Sequence, residues 1–461
     1  MIRLFKHYIP HAVVVLGLID LILLLMAGEI AWQLRAVQID ITLDTFVARS
    51  SLLVSFALLV WLGMIAVGVY GPEAVRSFRF AAARLLIALS FAVIALSVLD
   101  FVFPGSILWR SILLYAMAIG FVALLANRLV IGRMVGMEAF RRRIVVLGAG
   151  ERARRLARIA AEPDSGFAIV ANIALPDGST RLLPAVDRAD IGDLGQFVSE
   201  QGATEVVLAI EERRKALPLK DLLRIKTMGI DVNECSSFLE RETGRVDLAS
   251  VNPSWLIFSD GFSAGRRISS VAKRIFDVAA SGVLLLITAP VILIFALWVK
   301  LDSPGPAFFR QTRVGLYGQT FEVIKLRSMR TDAEKDGAKW AAKDDPRVTR
   351  LGKFIRKVRI DELPQTWSVL KGDMSFVGPR PEVPHFVSEL EQHMPFYAER
   401  HMVKPGITGW AQINYPYGAS IEDARHKLEY DLYYAKNYTP FLDLLILLQT
   451  LRVILWPEGA R

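Results

Sequence analysis

The stretch "IFDVAASGVLLLITAPVILIFALWV", Ile275 to Val299, decides the topology of the chain. A bilayer crossing needs about 20 apolar residues, and this run is long enough. Its flanks argue against a crossing. Arg266, Arg267, Lys273 and Arg274 precede it, and Lys300, Arg310 and Arg313 follow it. Positive charge on both sides favours the same leaflet for both ends. Pro290 removes a backbone donor in mid-run and kinks or breaks a helix there. The expectation is a re-entrant membrane helix over 269–301 that enters, bends at Pro290 and returns. Residues 302–461 then stay on the side from which the helix entered.

Working outward, the chain has 461 residues, enough for two or three domains. Hydrophobic residues make up 53% and mean hydropathy is +0.37, high for a protein without membrane segments. A net charge of +9 suits an anionic membrane surface or phosphorylated ligands. No nucleic-acid-binding module is recognisable, so nucleic acid is not expected as a partner. The single cysteine, Cys235, rules out a disulfide framework within one chain and reads as a small buried residue. The six histidines show no zinc-type spacing.

Four apolar segments fill the first third, at Ala12–Trp32, Leu52–Tyr70, Ala83–Phe103 and Ile107–Leu129. Arg3 and Lys6 precede the first, Arg76 and Arg79 separate the second from the third, and Arg128, Arg133 and Arg141–Arg143 follow the fourth. The other loops carry fewer positive charges, so residues 1–135 read as four transmembrane helices with both ends cytoplasmic. Asp20 and Glu29 are the main ionisable residues inside them, too few for a transport path, which makes the bundle an anchor or assembly platform.

"RIVVLGAGERARRLARIA", Arg143 to Ala160, runs from an apolar strand through Gly148 and Gly150 into a helical pattern. Strand-like runs follow at Ala168–Leu175, Glu205–Ala209 and Ile230–Asn233. Residues 140–250 therefore read as a Rossmann-like α/β domain, followed by a linker at 251–268. The acidic residue that would hold a ribose at the end of the second strand is missing. That strand runs into "ALPDG", where Asp177 follows a proline.

Beyond the re-entrant run, charged residues and glycines become dense, in "SPGPAFFRQTRVGLYGQTFEVIKLRSMR" (303–330), "DDPRVTRLGKFIRKVRIDELPQ" (344–365), "GDMSFVGPRPE" (372–382) and "KPGITGWAQINYPYG" (404–418). In order and spacing these pieces resemble the bacterial sugar transferases that move a hexose-1-phosphate onto polyprenyl phosphate, over about Ser269 to Trp456. The front end resembles the large members of that family, and the ending resembles members encoded with exosortase-type export systems. The family's usual Lys-Phe-Arg is Lys325-Leu326-Arg327 here, and its Ser-Pro at the bend is Ala289-Pro290, with Thr288 left to cap the freed carbonyls. The fold class expected is a membrane α-helical bundle, a Rossmann-like α/β domain and a small α-rich (α+β) catalytic domain over 302–461.

The resemblance implies a two-step transfer. Asp361 attacks the sugar-proximal phosphate of a UDP-sugar, and polyprenyl (undecaprenyl) phosphate then displaces the aspartate, initiating exopolysaccharide or glycan assembly. Glu362 is the natural ligand for Mg2+, a hard cation that also removes the repulsion between adjacent carboxylates, and Asp373 either assists the metal or holds an arginine. Arg380 offers a planar fork for a phosphate, with Lys325, Arg327 and Arg356 shaping the same anionic pocket and Lys404 reaching the nucleotide. The implied setting is the bacterial inner membrane, multi-pass, with the catalytic domain cytoplasmic, lipid in contact and a homodimer as the assembly.

Each of these residues also has an ordinary reading. Adjacent Asp-Glu pairs are usually solvated, arginines near a membrane usually meet headgroups, and Trp367, Phe376 and Trp410 read as packing residues. The apolar run Thr439 to Trp456 reads as a helix lying at the cytoplasmic interface, with burial inside the catalytic domain as the alternative. The enzymatic rival is a membrane-anchored nucleotide-sugar dehydratase or epimerase, but no tyrosine has a lysine four residues on. The non-enzymatic rival is a polysaccharide assembly scaffold. Glucose, galactose and N-acetylated sugars all stay open.

Overall fold

The computed structural model describes residues 2–4, 7–9, 11–40, 45–70, 78–104, 108–134, 141–162, 165–176, 180–211, 217–249, 267–333, 345–416, 418 and 420–455. Asp177, Trp456 and nearly all of the expected linker at 251–268 lie outside the described residues. The chain divides into two compact units, Met1–Gly244 and Arg245–Arg461.

The first unit opens with a short antiparallel pair, β1 (Ile2–Leu4) and β2 (His7–Ile9), then four long helices. These are α1 (His11–Gln38), α2 (Phe46–Val67), α3 (Phe78–Val102) and α4 (Arg110–Met134). Each contains a segment long and apolar enough to cross a membrane. The two acids inside α1 are neutralised within the bundle. Asp20 accepts from Arg128 Nη2 (2.6 Å) and Asn127 Nδ2 (2.8 Å), and Glu29 pairs with Arg49 (3.0 Å). Charges paired inside the bundle fit a support better than a path for ions.

The rest of that unit is a parallel sheet of β3 (Arg142–Leu147), β4 (Phe167–Ala174), β5 (Val186–Asp187), β6 (Glu205–Leu208) and β7 (Asp231–Glu234). The strands lie in the order β5-β4-β3-β6-β7, the doubly wound arrangement. Side chains alternate across a strand, so both faces of β3 must be covered. Ile144 and Val146 pack with α5 (Glu151–Ala160) and α8 (Cys235–Thr243) through Leu156, Phe238 and Cys235. Val145 and Leu147 pack with α6 (Leu194–Glu200) and α7 (Leu219–Thr227) through Val198 and Ile225. Cys235 is buried, as the composition suggested.

The second unit begins with α9 (Arg267–Asp302), 36 residues with Pro290 inside. Thr288 Oγ1 donates to the Leu284 carbonyl (2.7 Å), one turn back. A hairpin follows, β8 (Phe308–Val314) with β9 (Thr320–Leu326), then α10 (Arg350–Lys357), a 3-10 segment over Ile360–Gln365 and α11 (Thr366–Lys371). Next come β10 (Ser375–Val377), α12 (Pro384–His393), a second 3-10 segment over Tyr397–Met402 and β11 (Gly406–Thr408), which pairs in parallel with β10. The chain closes with α13 (Trp410–Asn414), α14 (Ile421–Asn437) and α15 (Pro440–Leu455). Val377, Trp410, Leu428, Tyr433, Tyr434 and Ile446 belong to its main core. Trp410 and Phe376 pack there as expected, whereas Trp367 is 53% exposed and does not.

Both ends of α9 are fastened to this same unit. Lys273 Nζ donates to the Val377 carbonyl (3.0 Å) and pairs with Asp443 (2.5 Å), Arg274 donates to the carbonyls of Val369 and Leu370, and Asp277 accepts from Ser375 Oγ (3.1 Å). At the other end Ala296 and Val299 pack with Ala307, Leu326, Leu351 and Ile355. The middle is bare, with Leu286 at 80% exposure and Ile287, Leu293 and Ile294 also exposed.

Candidate active site

The carboxylates at 361 and 362 reach their places through an unusual backbone. Arg359 has φ +59, in the left-handed region that side chains normally avoid, at a cost of order 1 kcal/mol or more. That turn redirects the chain from α10 into the 3-10 segment, which packs on β9. Adjacent residues on so tight a segment point apart, so the two acids meet different surroundings.

Glu362 is held by cations. Its Oε1 accepts from Lys325 Nζ (3.3 Å) on β9 and from Arg380 Nη2 (3.2 Å), and its Oε2 lies 3.9 Å from Arg359. Burial alone would raise its pKa, but Arg380, Lys325 and Arg359 outweigh burial and hold the carboxyl well below the usual range. Asp361 is 8% exposed and its Oδ1 is buried with no hydrogen-bond partner among the described residues. Burial, then the charge of Glu362, pushes its pKa up from 3.8 to about 6 against the opposing pull of Lys325, Arg356 and Arg359. Burial also lowers the pKa of Lys325, more than Glu362 restores it. Four cations thus act on two carboxylates, an excess of positive charge suited to an incoming diphosphate.

The loop that carries Arg380 is locked by close backbone crossing. A Cβ on Gly378 would lie 2.2 Å from the Lys404 carbonyl oxygen, so only glycine lets "VGPRP" and "KPGITG" cross here. Arg380 keeps 38% of its side chain exposed, so its guanidinium can reach a ligand while touching Glu362.

Of the residues expected from sequence, Lys325, Arg356 and Arg380 join Asp361 and Glu362. Arg327 does not. Its guanidinium is buried and donates to the carbonyls of Val299 (3.3 Å), Ser303 (2.7 Å) and Pro304 (2.6 Å), closing the last turn of α9. Asp373 pairs with Lys371 (2.9 Å), and its charge acts on Lys404, whose pKa is lowered by burial and then by Arg274. Neither Asp373 nor Lys404 is among the charges that dominate at Asp361 and Glu362. Arg359 and Arg313 were not expected as site residues. Arg313 acts on Lys325 and donates to the Pro381 carbonyl (2.9 Å).

Among the described residues no three Asp, Glu, His or Cys side chains converge to hold a metal alone. Mg2+ asks for less, since it is bound by one or two carboxylates together with substrate phosphates and water. An ionised Glu362 supplies one such carboxylate for a Mg2+ that arrives with a diphosphate.

The Rossmann-like sheet offers a second candidate. Gly148 has φ +131, and a Cβ there would lie 2.4 Å from the Ala209 carbonyl oxygen, so the turn needs glycine. The N-terminus of α5 is already filled, because the Glu151 N–H donates to Glu211 Oε1 (2.5 Å). A pyrophosphate would have to displace that carboxylate.

A family model described as bacterial sugar transferase matches residues 268–457, and one described as CoA-binding domain matches residues 65–228. The chain is 44% identical over 240 residues to a UDP-N-acetylgalactosamine-undecaprenyl-phosphate N-acetylgalactosaminephosphotransferase of Aeromonas hydrophila, covering 52% of this chain and 56% of that protein. It is 44% identical over 194 residues to an undecaprenyl-phosphate glucose phosphotransferase of Komagataeibacter xylinus, covering 41% of this chain and 36% of the relative. A UDP-glucose:undecaprenyl-phosphate glucose-1-phosphate transferase of Caulobacter vibrioides is 41% identical over 190 residues, 41% of this chain and 71% of the relative. The chain thus spans about half or less of the length of the first two.

Proposed function

The chain belongs to the bacterial sugar transferase family, and from that premise we propose that it transfers a sugar phosphate from a UDP-sugar to undecaprenyl phosphate through Asp361. The observation that carries the reading is the buried Asp361 Oδ1 that no described residue satisfies, with Lys325, Arg356 and Arg359 acting on its charge. Most buried carboxylate oxygens are hydrogen-bonded, and this one is instead left beside cations that act on it at a distance. A nucleophile must keep its oxygen free for the reacting phosphorus.

In the first step an Asp361 oxygen forms a bond to the sugar-proximal phosphorus, the bond from that phosphorus to the bridging oxygen breaks, and UMP leaves with the electron pair. In the second, an oxygen of undecaprenyl phosphate attacks the same phosphorus and the Asp361 carboxylate departs. Lys325 and Arg380 face the charge that grows on the phosphoryl oxygens, and Arg356 offsets the charge of Asp361. Glu362 orients Lys325 and Arg380 and would hold Mg2+, which when bound neutralises charge on the diphosphate.

Both ends of α9 bond to one compact unit while its apolar middle is exposed, and this supports a re-entrant helix rather than a crossing. The site then sits on the cytoplasmic face of the inner membrane, at the depth of the acceptor's phosphate. There the product would begin exopolysaccharide or glycan assembly.

The test is UMP release by the purified protein in detergent, with Mg2+, undecaprenyl phosphate and a panel of UDP-sugars, beside Asp361→Asn. Release that needs acceptor and metal, occurs with one sugar and disappears in the variant would establish the transfer and identify the donor. No release with any donor from folded protein would leave a binding scaffold as the better account.

A further inference from the structure

Four consecutive carbonyls around Arg380 are each held by a donor from elsewhere in the unit. Pro379 O accepts from Gly406 N (2.9 Å), Arg380 O from Arg400 Nη2 (3.0 Å), Pro381 O from Arg313 Nη1 (2.9 Å) and Glu382 O from Val314 N (2.9 Å). Two prolines flank Arg380, which stiffens the chain and confines Arg380 to extended backbone. Fixing its carbonyl therefore fixes the plane from which its side chain leaves. The guanidinium is the part left to move, and it points at Glu362.

The Arg380 carbonyl is served by an expensive donor. Arg400 is buried at 5% exposure, and its guanidinium donates to three partners. Nε and Nη2 donate to Asp431 Oδ2 (3.1 and 2.7 Å), Nη1 donates to the Tyr397 hydroxyl (2.8 Å), and Nη2 also reaches Arg380. Asp431, on α14, is buried too. A buried ion pair is no better for stability than apolar packing of the same shape. An apolar pair would, however, leave the Arg380 carbonyl without its donor, and only a forked donor serves the carboxylate, the hydroxyl and the carbonyl together.

We propose that Arg400 and Asp431 are positioning residues for the transfer, acting through the carbonyl of Arg380 to hold its guanidinium over Glu362 and the donor's phosphates. This rests on the sugar-phosphate transfer proposed above. A side chain misplaced by about 1 Å costs about a hundredfold in rate, and this sets the expected loss.

The experiment is a double-mutant cycle in the full chain, read as kcat/KM for UMP release and, in parallel, as the dissociation constant of Mg2+–UDP by titration calorimetry. Arg400→Met should lower kcat/KM about a hundredfold, and Arg400→Lys, which keeps the charge beside Asp431 but loses the fork, about tenfold. In an Arg380→Ala background both should have almost no further effect. A merely structural pair would reduce activity by the same factor in either background, through fewer folded molecules, and that result would overturn the proposal. So would wild-type kinetics from folded Arg400→Lys, or failure of both variants to fold, which would make the pair scaffold. If the unaltered protein neither turns over nor binds Mg2+–UDP, the transfer reading fails and this inference falls with it. If the unaltered protein is active and the cycle is additive, only the positioning role is lost.

Discussion

Asparagine at position 361 should remove turnover and yet make the protein more stable at alkaline pH. The carboxyl of Asp361 is buried, one oxygen lacks a partner, and its pKa rises from 3.8 to about 6 on folding. A carboxyl raised in this way binds its proton more tightly when folded. It therefore contributes stability that is fully present below the unfolded value near 4 and is lost as pH rises through about 6. At ~1.4 kcal/mol per pH unit, the ionised group costs about 3 kcal/mol at pH 8 and about 1 kcal/mol at pH 4.5. Relaxation and water entry make these upper limits. Asparagine keeps the shape and removes the charge. For a domain of this size ~1 kcal/mol moves the melting temperature by roughly 2–4 °C, so Asp361→Asn should melt up to roughly 6–12 °C higher at pH 8 and about a third of that at pH 4.5. Tryptophan fluorescence during heating in detergent measures the difference. A variant no more stable than the parent at pH 8, or equally stabilised at both pH values, would refute the claim that Asp361 is a buried, unsatisfied carboxylate.

The same ionisation should appear in turnover. With a nucleophile of pKa about 6, kcat/KM should fall about tenfold from pH 7 to pH 5, and a profile flat to pH 5 would count against Asp361 as the attacking group. Arg327→Met should strand the carbonyls of Val299, Ser303 and Pro304 and cost about 3 kcal/mol. Its melting temperature should drop while KM for the donor stays within about twofold, and a large rise in KM would return Arg327 to the phosphate pocket. In a Cys235→Ala background, Ser270→Cys and Asp302→Cys should both react with a membrane-impermeant maleimide in inside-out vesicles. Labelling of only one would mean that α9 crosses.

The parts that were legible in sequence are those whose cause is local. Ile144 and Val146 against Val145 and Leu147 announce a strand covered on both faces, and the sheet has that strand at its centre. Asp361, Glu362, Lys325 and Arg380 were readable because four motifs recur in order, and the structure brings those residues together. What could not be read depends on direction. A basic residue near a motif looks the same whether it faces a phosphate or a helix end, and Arg327 faces the helix end. Arg400 and Asp431 lie 31 positions apart, and only folding joins them to Arg380. Arg359 stood in plain view beside the acids, but nothing in its neighbours signals a left-handed backbone.

Why two carboxylates stand side by side follows from how differently the fold treats them. Glu362 faces Arg380, Lys325 and Arg359, so it stays ionised throughout the working range and serves as a fixed charge that orients cations. Asp361 is buried, and burial with the charge of Glu362 outweighs the pull of Lys325, Arg356 and Arg359 on its carboxylate. Two acids driven in opposite directions by their environments are the usual mark of divided labour at a catalytic centre. Under the proposed transfer, the division favours Asp361 as the attacking acid. An oxygen already donated to by two cations is a poor nucleophile, because those bonds must loosen as its charge is spent. Asp361 Oδ1 has no such bonds to break, and its charge, unstable in the pocket, is relieved on forming a bond to phosphorus. Exchanging the two residues, Asp361→Glu with Glu362→Asp, should therefore not preserve function even though composition and charge are unchanged. The shorter side chain at 362 withdraws from Lys325 and Arg380, and the longer one at 361 no longer fits the pocket that raises its energy.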